Sequence, residues 1–149
     1  MLNQRFPMDE ATGQYFTLLY GVLDLDSREL RTVCAGHPRP VRLGRGRDPE
    51  VIEAAGVPIG WLPGFEYQES RVSLAPGDRI YFYSDGAIEA RNPRDEFYTT
   101  ERLVRTLAQC HDLRLDESLG ALMASLAGWR DGDRPDDDVS LIALEIARP

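Results

Sequence analysis

Hydrophobic and polar positions alternate through the first ninety residues and predict a mostly antiparallel sheet. Aromatic and branched residues dominate the stretches 14–25 and 30–35, and the polar turn between them indicates a β-hairpin. Prolines at 38 and 40 interrupt the pattern, because proline lacks the backbone donor that a sheet requires. A proline-glycine turn is predicted at 75–78. Further strands are predicted at 41–43, 51–54, 67–74 and 79–83.

The hydrophobic period changes after residue 98 and becomes helical. Leu103, Leu107 and Cys110 fall on one helical face, and either Thr99 or Thr100 is the predicted N-cap. The spacing therefore predicts a helix that begins at about the N-cap threonine and lays one apolar face on the sheet.

A second helix and a last strand complete the pattern. The helix is predicted to end near Gly128, and a polar loop at 130–138 leads into an apolar run at 139–146, which predicts a strand buried on both faces. Strands, then helices, then a return strand indicate an α+β fold built in layers. The apolar positions of the second helix are Leu115, Leu119, Leu122, Met123 and Leu126.

Composition narrows the class of protein. With 149 residues, 42% of them hydrophobic and 28% charged, the chain fits one globular domain over residues 1–149. A formal charge of -8 disfavours nucleic acid as a partner, since a phosphate backbone attracts clustered cations. Cys34 and Cys110 form no CxxC pair, which fits a reducing cytoplasm, and no apolar run reaches the ~20 residues of a membrane span.

Two groups of aspartates stand where predicted strands end or begin. Ser84, Asp85 and Gly86 follow the strand at 79–83, and Asp136 to Asp138 come before the last strand. Carboxylates held by rigid backbone suit Mg²⁺ or Mn²⁺, and glycine lets a backbone approach closely. The same residues also fit a turn, a helix cap or a solvated acidic patch. Both interpretations stay open on this pattern alone.

Several motifs in a fixed order add a resemblance to a known family. The chain resembles the bacterial SpoIIE-type serine/threonine phosphatases of the PPM (type 2C) class over nearly its whole length. No single motif is specific, but their order and spacing together are. The motifs are AGHP at 35–38, GVPIGW at 56–61, LAPGDRIYFYSDG at 74–86 and DDVS at 137–140.

The resemblance implies an αββα sandwich with two metal ions, Mn²⁺ or Mg²⁺, between its sheets. It implies direct attack by water on phosphoserine or phosphothreonine of a partner protein, without a covalent enzyme intermediate. The family's metal ligands fall on Asp85 and Asp137, with Asp138 beside them. Gly86 and His37 are candidates for supporting or additional-metal positions, and for His37 a role in fixing the proline-rich turn is an equal alternative.

One family element has no match in this chain. The family carries an upstream Asp-x-x-Gly-His-Gly element that supplies a bridging carboxylate and a glycine carbonyl, and residues 1–149 contain no such element. We therefore expect this chain to be the C-terminal portion of the domain, with the N-terminal part of the sandwich missing. Weak metal binding and self-association of the isolated chain are expected as well.

Two functions follow as expectations. The first is a metal-dependent protein serine/threonine phosphatase domain that acts on a bacterial signalling regulator, of the anti-anti-sigma type by family analogy. The second is a non-catalytic partner-binding module or inactive fragment. Arg39, Arg91 and Arg94 flank the candidate site and are placed to steer a phosphate, although surface salt bridges are the commoner role of arginine.

Overall fold

The computed structural model describes residues 2–8, 13–131 and 137–148. Within these ranges antiparallel strands and helices form a mixed α+β fold, and the class predicted from the sequence is confirmed. The elements in chain order are α1 (Leu2–Arg5), β1 (Leu18–Asp24), β2 (Glu29–Ala35), β3 (Val41–Leu43), β4 (Glu50–Val51), β5 (Glu69–Ser73), β6 (Arg79–Tyr83), α2 (Asp85–Ile88), α3 (Thr99–Ala108), α4 (Leu115–Trp129) and β7 (Leu141–Glu145). No helix in these ranges has the length and apolar character needed to cross a membrane.

The chain divides into two compact units, and the first comprises Met1–Arg39 and Ile52–Leu74. Its described strands form an antiparallel sheet in the order β1-β2-β5. The β1–β2 hairpin predicted from the sequence is confirmed, with Leu18 opposite Ala35. The sheet continues into β5, where Glu29 pairs with Ser73.

Asp24 makes the turn of this hairpin. Its Oδ1 accepts hydrogen bonds from the backbone N–H of Ser27 at 2.8 Å and of Asp26 at 3.0 Å. These bonds stabilise the charged carboxylate, so the Ser27 backbone N–H lowers the pKa of Asp24 below its usual value. The turn therefore follows from a short acidic side chain that bonds its own backbone.

The second unit comprises Pro40–Val51 and Ala75–Pro149. Its described strands form an antiparallel sheet in the order β4-β3-β6-β7, with Val41 opposite Tyr81. The helices α3 and α4 cover the apolar face of this sheet and bury the core between them. The buried core residues are Val41, Leu43, Tyr81, Tyr83, Ala87, Ala90, Tyr98, Leu103, Leu107, Leu122 and Leu126.

Buried hydroxyls attach the helices to one another and to the sheet. The Tyr81 hydroxyl lies 2.9 Å from the Ser118 Oγ of α4. The Tyr98 hydroxyl lies 2.7 Å from Thr106 Oγ1 of α3 and 2.6 Å from Ser125 Oγ of α4. Both tyrosine hydroxyls thus have partners, which fixes the helices in one position on the sheet.

Two local predictions are wrong. The N-cap of α3 is Tyr98, not Thr99 or Thr100, because the buried Tyr98 ring and its hydroxyl bonds fix the entry to the helix. The last strand is not buried on both faces: Ile142 is 60% exposed and Leu144 41% exposed. Ile142 and Leu144 are two residues apart and so share one face of β7, and that face meets solvent. Among the described strands β7 also pairs with β6 alone.

The other predicted strands and the second helix are confirmed, with small shifts at their ends. The strands at 41–43 and 79–83 have the predicted bounds, and α4 ends at Trp129, one residue after the predicted end. The fourth strand is shorter than predicted, since residues 52–54 lie outside it. That residues 1–149 form one domain stays a prediction from the sequence.

Asp78 organises the turn that enters β6. Its Oδ2 accepts bonds from Arg42 Nη2 at 2.6 Å, Arg42 Nε at 3.0 Å and the Ala75 backbone N–H at 2.9 Å. The Asp78 side chain is only 4% exposed and that of Arg42 14%. The predicted proline-glycine turn is thus present, and a buried ion pair fixes it to the neighbouring strand β3.

We expect Asp78→Ala to lower the free energy of unfolding by about 3–5 kcal/mol, because it leaves the Arg42 charge buried without its partner. Urea denaturation measures the change. Asp48→Ala removes an exposed carboxylate of the same unit and should change stability by no more than about 0.5 kcal/mol. Equal effects of the two substitutions would contradict the role given to the ion pair.

Candidate active site

Ser84 joins the two turns that carry the candidate aspartates, the turn at 84–86 after β6 and the turn at 137–140 before β7. Tyr83 and Leu141 are opposite one another at the ends of β6 and β7. Beyond them the Ser84 N–H donates to the Ser140 carbonyl at 3.0 Å, and the Ser140 N–H donates to Ser84 Oγ at 3.0 Å. The Ser84 hydroxyl in turn donates to the Asp138 carbonyl at 3.0 Å. Three hydrogen bonds therefore hold the two turns together.

Gly86 lets these turns approach more closely than any other residue would. A Cβ at this position would lie 2.5 Å from the Asp138 carbonyl oxygen and 3.4 Å from that of Asp137. Real Cβ atoms do not come within 2.5 Å of a backbone oxygen, so the contact requires glycine. The glycine of the SDG motif thus has a packing reason that agrees with the sequence pattern.

The predicted site residues Asp85, Asp137 and Asp138 lie on these adjoining turns, and all three are exposed. Asp85 begins the short helix α2 and accepts a bond from the Gly86 N–H at 3.0 Å. Asp137 Oδ1 accepts the Asp138 N–H at 2.7 Å. Asp136 lies outside the described residues. The structure therefore brings together the two turns, while the assignment of these carboxylates as ligands stays a prediction.

The donor set at these turns suits a hard divalent cation. Carboxylate oxygens and the backbone carbonyls beside Gly86 are the ligand types that Mg²⁺ and Mn²⁺ prefer. Over residues 2–8, 13–131 and 137–148, no group of three or more His, Cys, Asp or Glu side chains is arranged to hold a metal ion. Within these residues the aspartates alone therefore do not form a metal centre, and their role as cation ligands stays a prediction.

His37 lies in the first unit and belongs to a turn with its own structural explanation. Its Nδ1 donates to the Pro38 carbonyl at 3.0 Å, and its carbonyl accepts from Cys34 Sγ at 2.9 Å. Gly36, with φ of 69°, donates to the Gly56 carbonyl at 2.7 Å. The motifs at 35–38 and 56–61 are therefore bound to each other, which supports a structural role for His37; an additional-metal role stays a prediction.

The cysteines offer no nucleophile. Cys34 and Cys110 are both free and buried. Burial raises the pKa of each thiol above its usual value, so both stay protonated at neutral pH. This agrees with the expectation that a phosphate ester would be attacked by water and not by a cysteine.

Sequence reasoning missed Arg130, which lines the same cavity as the candidate residue Asp137. The sequence pattern predicts a polar loop there, yet Arg130 is only 8% exposed. It lines a cavity of about 120 Å³ together with Gly86 and Asp137. Arg91 and Arg94, which the sequence suggests as phosphate-steering residues, are instead paired with Asp95 and Glu96. The burial of Arg130 could not be predicted, because no sequence signal distinguishes a buried arginine from an exposed one in an acidic stretch.

A comparison of the whole chain with protein families decides its membership. The family model of Stage II sporulation protein E (SpoIIE) matches residues 1–147. The chain belongs to the SpoIIE family. The resemblance of the motifs to SpoIIE-type phosphatases of the PPM class is therefore confirmed.

Two curated proteins are similar to this SpoIIE-family chain. Protein IcfG of Synechocystis sp. is 28% identical over 132 residues, which cover 89% of this chain and 21% of IcfG. The phosphoserine phosphatase RsbP of Bacillus subtilis is 24% identical over 145 residues, which cover 97% of this chain and 34% of RsbP. The chain thus spans about a fifth to a third of these relatives.

Solved structures of PP2C-type domains share the fold. The SiaA-PP2C domain of Pseudomonas aeruginosa has a TM-score of 0.79 at 21% identity, covering 93% of this chain and 55% of that one. The Mn-presoaked phosphatase domain of SpoIIE from Bacillus subtilis has a TM-score of 0.74 at 18% identity, covering 98% of this chain and 62% of that one. The PPM fold is confirmed, and the family is metal-dependent.

The close contact at Gly86 predicts opposite effects for two glycine substitutions. Gly86→Ala should lower the free energy of unfolding by about 1–3 kcal/mol, because its methyl group would displace the Asp138 carbonyl. Gly120 lies within α4, where a methyl group would meet no atom within 4 Å beyond the helix's own backbone, so Gly120→Ala should raise stability by about 0.5–1 kcal/mol. Urea denaturation of both variants checks this, and a neutral Gly86→Ala would show that the turns separate freely.

Proposed function

We propose that this chain is the aspartate-bearing part of a metal-dependent protein serine/threonine phosphatase. The observation that carries the proposal is the Ser84 network, which binds the turn of Asp85 to the turn of Asp137. Membership of a metal-dependent phosphatase family supports it further. Asp85 and Asp137 are the proposed cation ligands, and Asp138 lies beside them.

The chain's own residues have three tasks in the proposed reaction. Asp85 and Asp137 hold the cation in place, and the Ser84 bonds keep their turns at a fixed separation. Gly86 has no side chain, and any Cβ at this position would push the two turns apart. Divalent cations of this kind supply an activated water and neutralise phosphoryl oxygens. A rigid backbone thus provides the positioning on which phosphoryl transfer largely depends.

The proposed substrate is a phosphorylated protein of a bacterial signalling system. RsbP, which is similar over 97% of this chain, is named a phosphoserine phosphatase. The name of RsbP supports a phosphoserine target, while phosphothreonine and a regulator of the anti-anti-sigma type rest on the family resemblance alone. A protein substrate also fits the candidate aspartates, which are exposed and not enclosed in a deep pocket.

We expect Asp85→Asn and Asp137→Asn each to lower kcat/KM by at least about 100-fold, because each removes a cation ligand. The assay uses the gene-encoded protein with Mn²⁺, an aryl phosphate and a phosphoserine peptide. Asp116→Asn, an exposed aspartate in the first turn of α4, is the control and should keep full activity. Activity that survives both site substitutions would reject the assignment, and an inactive wild type that binds phosphoprotein would favour the partner-binding module.

A further expectation concerns association of the 149-residue chain. Ile142 and Leu144 are exposed on β7, which lies at the edge of its sheet within the described residues. Exposed apolar edge strands tend to pair with another chain. Sedimentation over a concentration series should show dimers or larger species, and the double substitution Ile142→Glu and Leu144→Glu should shift the chain toward monomer. A monomeric wild type at every concentration would contradict this.

A further inference from the structure

Arg130 carries a buried positive charge, and two of its side-chain donor atoms, Nε and Nη1, lack acceptors among the described residues. It is the first residue after α4 and is 8% exposed. Its Nε and Nη1 are buried and make no hydrogen bond, and it forms no ion pair within residues 2–8, 13–131 and 137–148. A buried cation without a partner is costly. An anion at this position would satisfy these donors and offset the charge.

The backbone around Arg130 is fixed from both sides. Trp129 Nε1 donates to the carbonyls of Ala90 and Glu96, at 3.2 Å each, and the Arg102 guanidinium lies 3.9 Å above the Trp129 ring. The Arg130 N–H donates to the Leu126 carbonyl at 3.2 Å. The negative end of the α4 dipole favours a cation here, but the free Nε and Nη1 show that helix carbonyls do not use these donors.

The cavity lined by Arg130 has the size and position of a phosphoryl subsite. Its volume is about 120 Å³, the share of about four water molecules in the liquid. Gly86 and Asp137 contribute to its wall from the two turns that Ser84 binds together. A group held at Arg130 would therefore lie next to Asp137, one of the proposed cation ligands.

The other arginine of this cavity is already engaged. The Arg91 guanidinium lies 4.4 Å above the Phe97 ring and is paired with Asp95. Arg130 has neither a ring nor a carboxylate partner in the part of the chain that the structure describes, so it keeps donors for a ligand. Glu89 and Asp137 also line the cavity, and their charges oppose an anion unless a cation offsets them.

We propose that Arg130 binds the phosphoryl group of the substrate, through the N–H groups of its guanidinium, beside the turn of Asp137. This rests on the proposed function and extends it to the residue that recognises the phosphate. The guanidinium fork presents two parallel donors that match two oxygens of one phosphate. A lysine ammonium would supply the charge without that geometry.

Phosphate binding can be measured without turnover. The gene-encoded protein is titrated with inorganic phosphate at constant ionic strength, once with EDTA and once with Mg²⁺, and its Tm is followed. Wild type should show a saturable rise in Tm that is larger with Mg²⁺. Arg130→Met should remove this rise, and Arg130→Lys should fold normally but weaken the apparent phosphate Kd by about 10-fold or more.

Arg105→Met is the matched control. It removes the same charge from an exposed position on α3 and should leave the phosphate response unchanged. In steady-state assays Arg130→Lys should raise KM for an aryl phosphate, which a purely structural cation at this position would not do. An unchanged phosphate response in both Arg130 variants would overturn the proposal.

The two proposals fail in different ways. If the aspartate variants abolish turnover while the Arg130 variants bind phosphate as wild type does, the phosphatase assignment stands and the role of Arg130 is wrong. If the Arg130 variants lose phosphate binding while wild type has no phosphatase activity with Mn²⁺, the anion site stands and the catalytic function is wrong.

Discussion

The antiparallel register of β6 and β7 fixes the ends of both strands side by side, and Ser84 extends that register into the loops beyond them. Every feature of the candidate site depends on this constraint. It brings turns that are distant in sequence to one place on the sheet edge. Gly86 then allows them to touch, and the carboxylates project from a backbone that is already fixed.

The strands at 41–43 and 79–83 could be predicted to the residue, because short apolar runs bounded by glycine, proline and aspartate have clear ends. The burial of β7 could not. A near-continuous apolar run indicates a strand, but it does not say whether both faces of that strand are covered. The N-cap of α3 failed for a related reason: tertiary packing of Tyr98 decided the helix start over the local preference of threonine.

Only the residues of the candidate site that belong to sequence motifs could be predicted. Asp85, Gly86 and Asp137 were singled out by the family resemblance, because their position at strand ends also fits a turn, a helix cap or a solvated acidic patch. Their role as site residues stays a prediction. Arg130 was missed because its significance comes from burial and from donors that no described group accepts, neither of which a sequence displays. Charged residues are usually exposed, so an arginine in an acidic stretch is read as solvated unless coordinates show otherwise.

The paired serines also have a dynamic consequence. The amides of Ser84 and Ser140 both donate within the joint between the turns, so their protons can exchange with solvent deuterium only when that joint opens. Because these bonds continue the ladder of β6 and β7, we expect the two amides to exchange more slowly than amides of the adjoining loops that make no hydrogen bond. The backbone that carries the candidate aspartates should therefore be protected from exchange, although their side chains are exposed to solvent.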